Sequence, residues 1–258
     1  MILSQLLRLF ILLLLVGAPL TYAKPVVKAC GHHDYAPWNW RVGDQIVGAC
    51  AEVTKTLFEK LGVTVDLSYQ GNWQQCQSKI KTGEVDVNIC SFINSERQQY
   101  SRFIQTPMGY NENAAFVNQK VPFKFSRWSD FDGHTVGMVQ GVSIGQKFDD
   151  FLRQHTKVVR VTDYRKAFEF LAAKRVDFVP VGRYSGYAMI KAFKLEKQLT
   201  DLPKSILTGK LYISMSNKSK YLHLLPEVEK QIQKPGYYPW LSELLQKYAD
   251  EYGDQFAE

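Results

Sequence analysis

The sequence predicts an α/β protein of two lobes, each a parallel-rich sheet flanked by helices. Three observations predict it. Apolar runs of strand length alternate with segments of helical period, giving the order strand, helix, strand, helix, strand in the first half of the chain. The alternation returns in the second half. The junctions "TGEVDVNIC" and "AKRVDFVPV" have one form, a helix end, then Val-Asp, then an apolar strand. Strands joined through helices imply parallel pairing with right-handed crossovers.

The chain opens "MILSQLLRLFILLLLVGAPLTYAKP", with Arg8 before an apolar run from Leu9 to Val16 and small residues at Thr21 and Ala23. This reads as a secretory signal peptide, residues 1–23, cut after Ala23, so the mature protein is expected to be soluble and exported. The apolar core is shorter than the ~20 residues a membrane span requires. The nearest cysteine, Cys30, follows "PVVKA", so lipid anchoring is not expected. About 235 residues remain, enough for one large domain or two lobes. "KPVVKAC" then reads as a buried strand. "GACAEVTKTLFEKLG" is a helix with Ala49, Val53, Leu57 and Leu61 on one face and Gly62 as its stop. "VTVDLSY" alternates like a strand. "NWQQCQSKIKTG" is a helix capped by Asn72 and closed by Gly83, leading into the strand "VDVNIC".

In the second half "HTVGMVQG" is a strand and "SIGQKFDDFLRQ" a helix with Ile144, Phe148, Phe151 and Leu152 on one face. "DYRKAFEFLAAK" is a helix capped by Asp163, and "RVDFVPV" a strand. "NAAFV" and "KLYISMS" read as strands bracketing this lobe, and "LPEVEKQIQK" and "PWLSELLQKYADEY" as closing helices. The expected division is 24–116 with 213–258 in the first lobe and 117–212 in the second. Two crossings make a hinge, and strands whose carboxyl ends face across it enclose a cleft.

Lys and Arg exceed Asp and Glu, for a net charge of +7, with no block of five like charges. Nucleic-acid binding is therefore not expected. Mature Cys30, Cys50, Cys76 and Cys90 lack the spacing of zinc pairs, and export favours two disulfides. The expected pairs are Cys30–Cys90, at the ends of neighbouring strands, and Cys50–Cys76, near the starts of successive helices.

The stretch "VDVNICSFINSERQQYSRF" runs from a strand into a polar turn. Asn94 is a good helix N-cap, and Arg97 then falls in the first turn, where free N–H groups favour an anion and a guanidinium adds a fork for a carboxylate. The alternative is an ion pair of Arg97 with Glu96 or Asp86. "CGHHDYAPWNW" follows the first strand, so His32, His33, Asp34, Tyr35 and Trp38 share the same rim, with Trp73 beside them. Trp38 and Trp40 read as core. Adjacent histidines diverge on an extended backbone, so no metal is expected. "VQGVSIG" offers Gly141 and Ser143 before a helix. Asp149 and Asp150 read as a solvated flank. There is no nucleophile elbow, phosphate loop or HExxH, so no cofactor is expected.

"DYAPWNW" with "IVGACAEV", "KTGEVDVNIC" with "NSER", and "GHTVGMVQGVS", in this order, resemble the bacterial extracellular solute-binding proteins of family 3, the amino-acid-type periplasmic binding proteins of ABC importers. The resemblance covers nearly the whole mature chain. It implies the type II two-lobed fold, a monomer serving a membrane permease, and no enzymatic activity. It also implies that Arg97 binds a ligand carboxylate, that Tyr35 and Trp73 stack on the ligand, and that Ser143 or its backbone closes over it from the second lobe; His32, on the same rim, is a further candidate contact. Three departures stand out. The stretch from Asp86 to Arg97 is one residue short, so Ser91 or Phe92 replaces the usual polar residue. Val142 stands where the family often has a hydroxyl. The aspartate that holds a ligand ammonium is Gly182 here, followed by Arg183, so an ordinary α-amino acid held in the usual way is not expected. Asp34 or Glu112 are the acids available to compensate. Two alternatives use the same fold: a sensor module feeding a signalling receptor, and a dehydratase-like enzyme with His32 or Glu112 as its acid or base.

Overall fold

The structure is a computed structural model that describes residues 24–255; the segment read above as a signal peptide lies outside the described residues. From β1 (Val26–Cys30) the chain makes a small three-stranded sheet of β2 (Asp34–Tyr35), β3 (Asn39–Val42) and β4 (Gln45–Val47). Next come α1 (Ala49–Glu59), β5 (Thr64–Asp66), α2 (Trp73–Thr82), β6 (Val87–Ser91), α3 (Ser95–Tyr100) and β7 (Ser101–Phe103). The long β8 (Gly109–Asn118) crosses to the second lobe. There the chain forms β9 (Thr135–Val139), α4 (Gln146–His155), β10 (Lys157–Val161), α5 (Tyr164–Ala172), β11 (Phe178–Gly182), α6 (Arg183–Ala192) and β12 (Leu199–Asp201). Then β13 (Leu207–Ser216) crosses back, and α7 (Leu225–Ile232) and α8 (Tyr237–Asp254) pack on the first lobe.

One sheet runs through both lobes in the order β10-β9-β11-β8-β13-β6-β1-β5. In the first lobe β1 pairs parallel with β5 and β6, and in the second β9 pairs parallel with β10 and β11. The two crossing strands are antiparallel to each other from Leu207↔Asn113 to Leu211↔Gly109. Beyond that stretch each turns to its own lobe: β8 pairs with β11, and β13 with β6 and β7. The site therefore lies over a pair of hydrogen-bonded strands that change partners halfway along.

Local chemistry explains the helix ends. Asn72 caps α2 in a reciprocal box with Gln75, and Asp163 caps α5 by accepting from Lys166 N at 2.8 Å. The stripe Ala49, Val53, Leu57 of α1 is fully buried, while Leu61 falls beyond the helix end. A second core in the other lobe stacks Phe131 on Phe178, with centroids 4.3 Å apart, and includes Phe148 and Leu152. Trp38 and Trp40 are buried core residues, as expected. The strand β10 and the helix α6 have no counterpart in the sequence reading. "KVVRV" is short and half-polar, and α6 starts directly from β11 with no turn residues between them.

The disulfides are Cys30–Cys76 and Cys50–Cys90, not the pairs expected from sequence. The strands β1 and β6 are neighbours, but their register sets Cys30 beside Asn88, two residues short of Cys90. The crossovers β1-α1-β5 and β5-α2-β6 run in opposite directions across the sheet, which puts α1 and α2 on opposite faces. Cys76 thus packs with Cys30, Trp73 and Ile80, while Cys50 shares a different core cluster with Cys90. Each bridge staples one helix to one strand.

Peptide mapping of oxidised protein is expected to recover Cys30–Cys76 and Cys50–Cys90. Replacing both members of either pair by serine should cost about 2–4 kcal/mol in denaturant unfolding. Recovery of a Cys30–Cys90 peptide would contradict this connectivity.

Candidate ligand-binding site

The Asn94 side chain caps α3 by accepting from Arg97 N at 2.8 Å, so that N–H is not free for a ligand. The turn drives the Arg97 side chain inward, where it is 3% exposed. Its guanidinium donates to Phe92 O and to Gly141 O, both at 2.8 Å, and sits 5.2 Å from the Trp73 ring centroid. Among the described residues it forms no ion pair. Asp86, one partner weighed from sequence, instead accepts from Lys28 N and Ser219 Oγ. Burial lowers the pKa of Arg97, partly offset by Tyr100, Asp149 and Glu96.

Gly141 belongs to the second lobe and has φ of +74°, a conformation that favours glycine. Its carbonyl also accepts from Trp73 Nε1 at 2.9 Å, so two first-lobe side chains meet on one second-lobe oxygen. Other bonds cross the cleft. Asp34 Oδ2 accepts from Tyr164 N at 2.9 Å, and Gln146 Oε1 accepts from Ser95 N and Oγ, each at 2.9 Å. The lobes are closed on one another.

Between them lies a small cavity of about 30 Å³. One wall is aromatic. His32 stacks on Trp73 at 5.2 Å and lies 5.5 Å from Tyr164, which is in turn 5.8 Å from Tyr35. Phe92, Val142 and Ile144 make an apolar wall, and Arg97 supplies the charge. A wider opening of about 610 Å³ lies on the other side of Arg97, lined by Asn94, Glu96, Lys81, Asp149 and Arg160 among others. Arg97 stands between the two spaces.

The structure explains Gly182. A Cβ there would lie 2.5 Å from Asn111 Oδ1 and 2.7 Å from Tyr35 Oη. Asn111 Nδ2 donates to Tyr35 Oη at 2.5 Å, and Gly182 N donates to it at 3.2 Å. The tyrosine hydroxyl thus occupies the place a side chain at 182 would take. Burial pushes the Tyr35 hydroxyl up to about 12, so it stays neutral. Arg183 does not face the cavity. It pairs with Asp201 and with Glu112, its Nε lying 3.4 Å from Glu112 Oε1, and donates to Leu202 O and Pro203 O. Glu112, held by Arg183 and Ser205, is likewise outside the cavity lining.

His32, Tyr35, Trp73, Ser91, Arg97 and Ser143 all line the cavity. Asn94 lines only the wider opening, and Gly182 shapes the wall from behind Tyr35. The Ser143 hydroxyl donates to Asp149 Oδ2. His32 and His33 do not diverge as expected, because the chain turns at His33 instead of staying extended. Their rings stack at 5.4 Å, with His32 Nδ1 2.5 Å and His33 Nδ1 3.8 Å from Asp34 Oδ1. The ligating atoms of this trio lie within 4.8 Å of one another. Burial lowers the His33 pKa despite Asp34. Asn39, Asn113 and Tyr164 also line the cavity and were missed from sequence. Asn39 is a single polar residue between two tryptophans in "WNW", and that contrast was the available signal; Asn113 closes the polar run Asn111-Glu112-Asn113 and carried none.

A two-lobed α/β protein with a closed interlobe cleft has the fold of the periplasmic binding proteins. The chain belongs to the bacterial extracellular solute-binding proteins, family 3, whose family model matches residues 27–250. No curated protein sequence matches it significantly. Among solved structures it is similar to an amino acid ABC transporter substrate-binding protein from Streptococcus pneumoniae bound to L-arginine, at TM-score 0.71 and 21% identity, covering 89% of this chain and 96% of that one. It is also similar to a histidine kinase sensor domain, at TM-score 0.68 and 18% identity, covering 90% and 96%. The Bordetella pertussis BvgS VFT2 domain matches at TM-score 0.69 and 18% identity, covering 87% and 93%.

Because the Tyr35 hydroxyl and Asn111 fill the space at residue 182, Gly182→Ala is expected to destabilise the protein by about 1–3 kcal/mol in denaturant unfolding. Adding Tyr35→Phe should recover part of the loss by removing the closest oxygen. A fully stable Gly182→Ala single variant would show that this wall yields freely.

Proposed function

We propose that this chain is a periplasmic capture protein, exported by residues 1–23, which closes over a small carboxylate-bearing solute and presents it to the permease of an ABC importer. The observation that carries the reading is Arg97: a guanidinium 3% exposed, in the wall of the interlobe cavity, donating to two carbonyl oxygens and forming no ion pair with a carboxylate among the described residues. A buried charge without a counter-ion is costly, and a ligand carboxylate relieves it. Residues 24–108 with 212–255 form the lobe that carries Arg97, and 114–206 the lobe that closes, a few residues from the division expected from sequence. The stretch of β8 and β13 from 109 to 113 and 207 to 211 is the hinge. The protein works as a monomer, because each chain holds a complete cleft. His32, Tyr35 and Trp73 contact the ligand through their rings.

A second reading, a sensor module that hands its closed state to a signalling receptor, draws support from the likeness to a histidine kinase sensor domain and to the BvgS domain. The two readings share the ligand chemistry and differ in what recognises the closed lobes.

Mass spectrometry of small molecules released from purified protein identifies the first probe, and titration calorimetry with that compound tests the site. Arg97→Ala is expected to weaken binding by at least ~10-fold, the value of one charge-assisted hydrogen bond, with circular dichroism unchanged. Arg97→Lys should fall between, since an ammonium lacks the fork. Unchanged affinity in the alanine variant returns Arg97 to a structural role. Trp73→Ala should abolish any ligand-induced change in intrinsic fluorescence.

A further inference from the structure

Resting on that reading, we infer that the ligand is a net anion, a small carboxylate whose remaining polar groups are uncharged hydrogen-bond donors such as a hydroxyl or primary amide, and not a zwitterionic amino acid. The residues that line the cavity include one cation, Arg97, and no Asp or Glu. A monoanion therefore neutralises the closed site. A zwitterion leaves it with one net positive charge, desolvated, its ammonium sharing the space with a guanidinium.

The nearest acids are committed elsewhere. Asp149 accepts from Ser143 Oγ and, at 3.1 Å, from Ile144 N. Asp34, outside the cavity lining, accepts from Tyr164 N through Oδ2 while its Oδ1 lies 2.5 Å from His32 Nδ1, and Glu112 is held by Arg183 and Ser205. Position 182 has no room for a carboxylate, since even a Cβ meets Asn111 and Tyr35 there.

The cavity offers neutral partners in place of an acid. Asn39, Ser91, Asn113 and His32 line it at 1%, 2%, 1% and 5% exposure. Each keeps a buried atom without a hydrogen bond: Asn39 Oδ1, Ser91 Oγ, Asn113 Oδ1 and His32 Nε2. Asn113 Nδ2 donates to Asn111 O at 3.0 Å, which fixes Oδ1 as the open acceptor. Buried polar atoms are rarely left unpaired, and four around one small cavity mark where a ligand's own polar groups go. A hydroxyl or amide N–H satisfies Asn113 Oδ1 without adding charge. The small volume restricts the class to ligands of a few heavy atoms.

Titration calorimetry with L-lactate, propionate and L-alanine, equal in carbon number and different only at the second carbon, decides the matter. In the wild type lactate is expected to bind at least ~10-fold tighter than alanine and tighter than propionate, about the value of one hydrogen bond to an otherwise unpaired group. Ser91→Ala should narrow the gap between lactate and propionate. Asn113→Asp, checked for folding by thermal unfolding, should reverse the order of lactate and alanine by supplying the missing negative charge. Alanine binding as tightly as lactate, with both lost in Arg97→Ala, overturns this inference and leaves carboxylate capture standing. If none of the three binds the wild type at millimolar concentration, both fail.

Discussion

The closed arrangement turns on one acceptor, the carbonyl oxygen of Gly141. Arg97 and Trp73, from two different first-lobe helices, both donate to it across the cleft. A carbonyl has two lone pairs and serves both donors, provided the backbone aims it between them. The left-handed φ of Gly141 sets that aim at the end of β9. One backbone oxygen thereby fixes the orientation of the guanidinium and of the indole, and the rest of the cavity is built around those two planes.

The hinge side is organised by a different principle. There the charges are numerous but mutually satisfied: Arg183 spans Asp201 on β12 and Glu112 on β8 while also donating to carbonyls of the loop before β13. This network ties the start of α6 to the strands that carry the lobes. Its effect on the cavity is subtractive, since it draws Arg183 and Glu112 away from a lining where either would alter the charge balance. Tyr35, accepting from Asn111 Nδ2 and Gly182 N, seals the wall between the network and the ligand space with a neutral hydroxyl.

The sequence made the lobes, most helices and the aromatic rim legible because each rests on a local pattern. Asn72 and Asp163 are caps that act within three residues, and the apolar stripe of α1 is a matter of period. Arg97 was legible because a strand end followed by Asn94 leaves its side chain little choice of direction. The disulfides were not, because pairing depends on which face of the sheet each helix takes, a property of crossover direction and not of spacing. Asn39 and Asn113 escaped for a related reason. Each is an ordinary polar residue until β3 and β8 bring them to the same cavity, which only the tertiary fold does. Gly182 was readable as a missing acid, but its cause, the crowding by Tyr35 and Asn111, joins residues far apart in sequence.

These contacts also bear on how closure responds to a solute. Several bonds across the cleft, Asp34 to Tyr164, Ser95 to Gln146 and Trp73 to Gly141, join protein groups directly and favour the closed lobes. Against them stands the cost of desolvating Arg97 with no carboxylate in direct contact, since a buried charge loses hydration worth several kcal/mol. The two contributions have opposite sign, which is the condition for an equilibrium that a modest interaction tips. A ligand shifts such an equilibrium only by its differential affinity for the two states, and a carboxylate gains its full contact with Arg97 only where the second lobe excludes water. On this account affinity depends less on the number of ligand contacts than on the charge the ligand brings to one guanidinium.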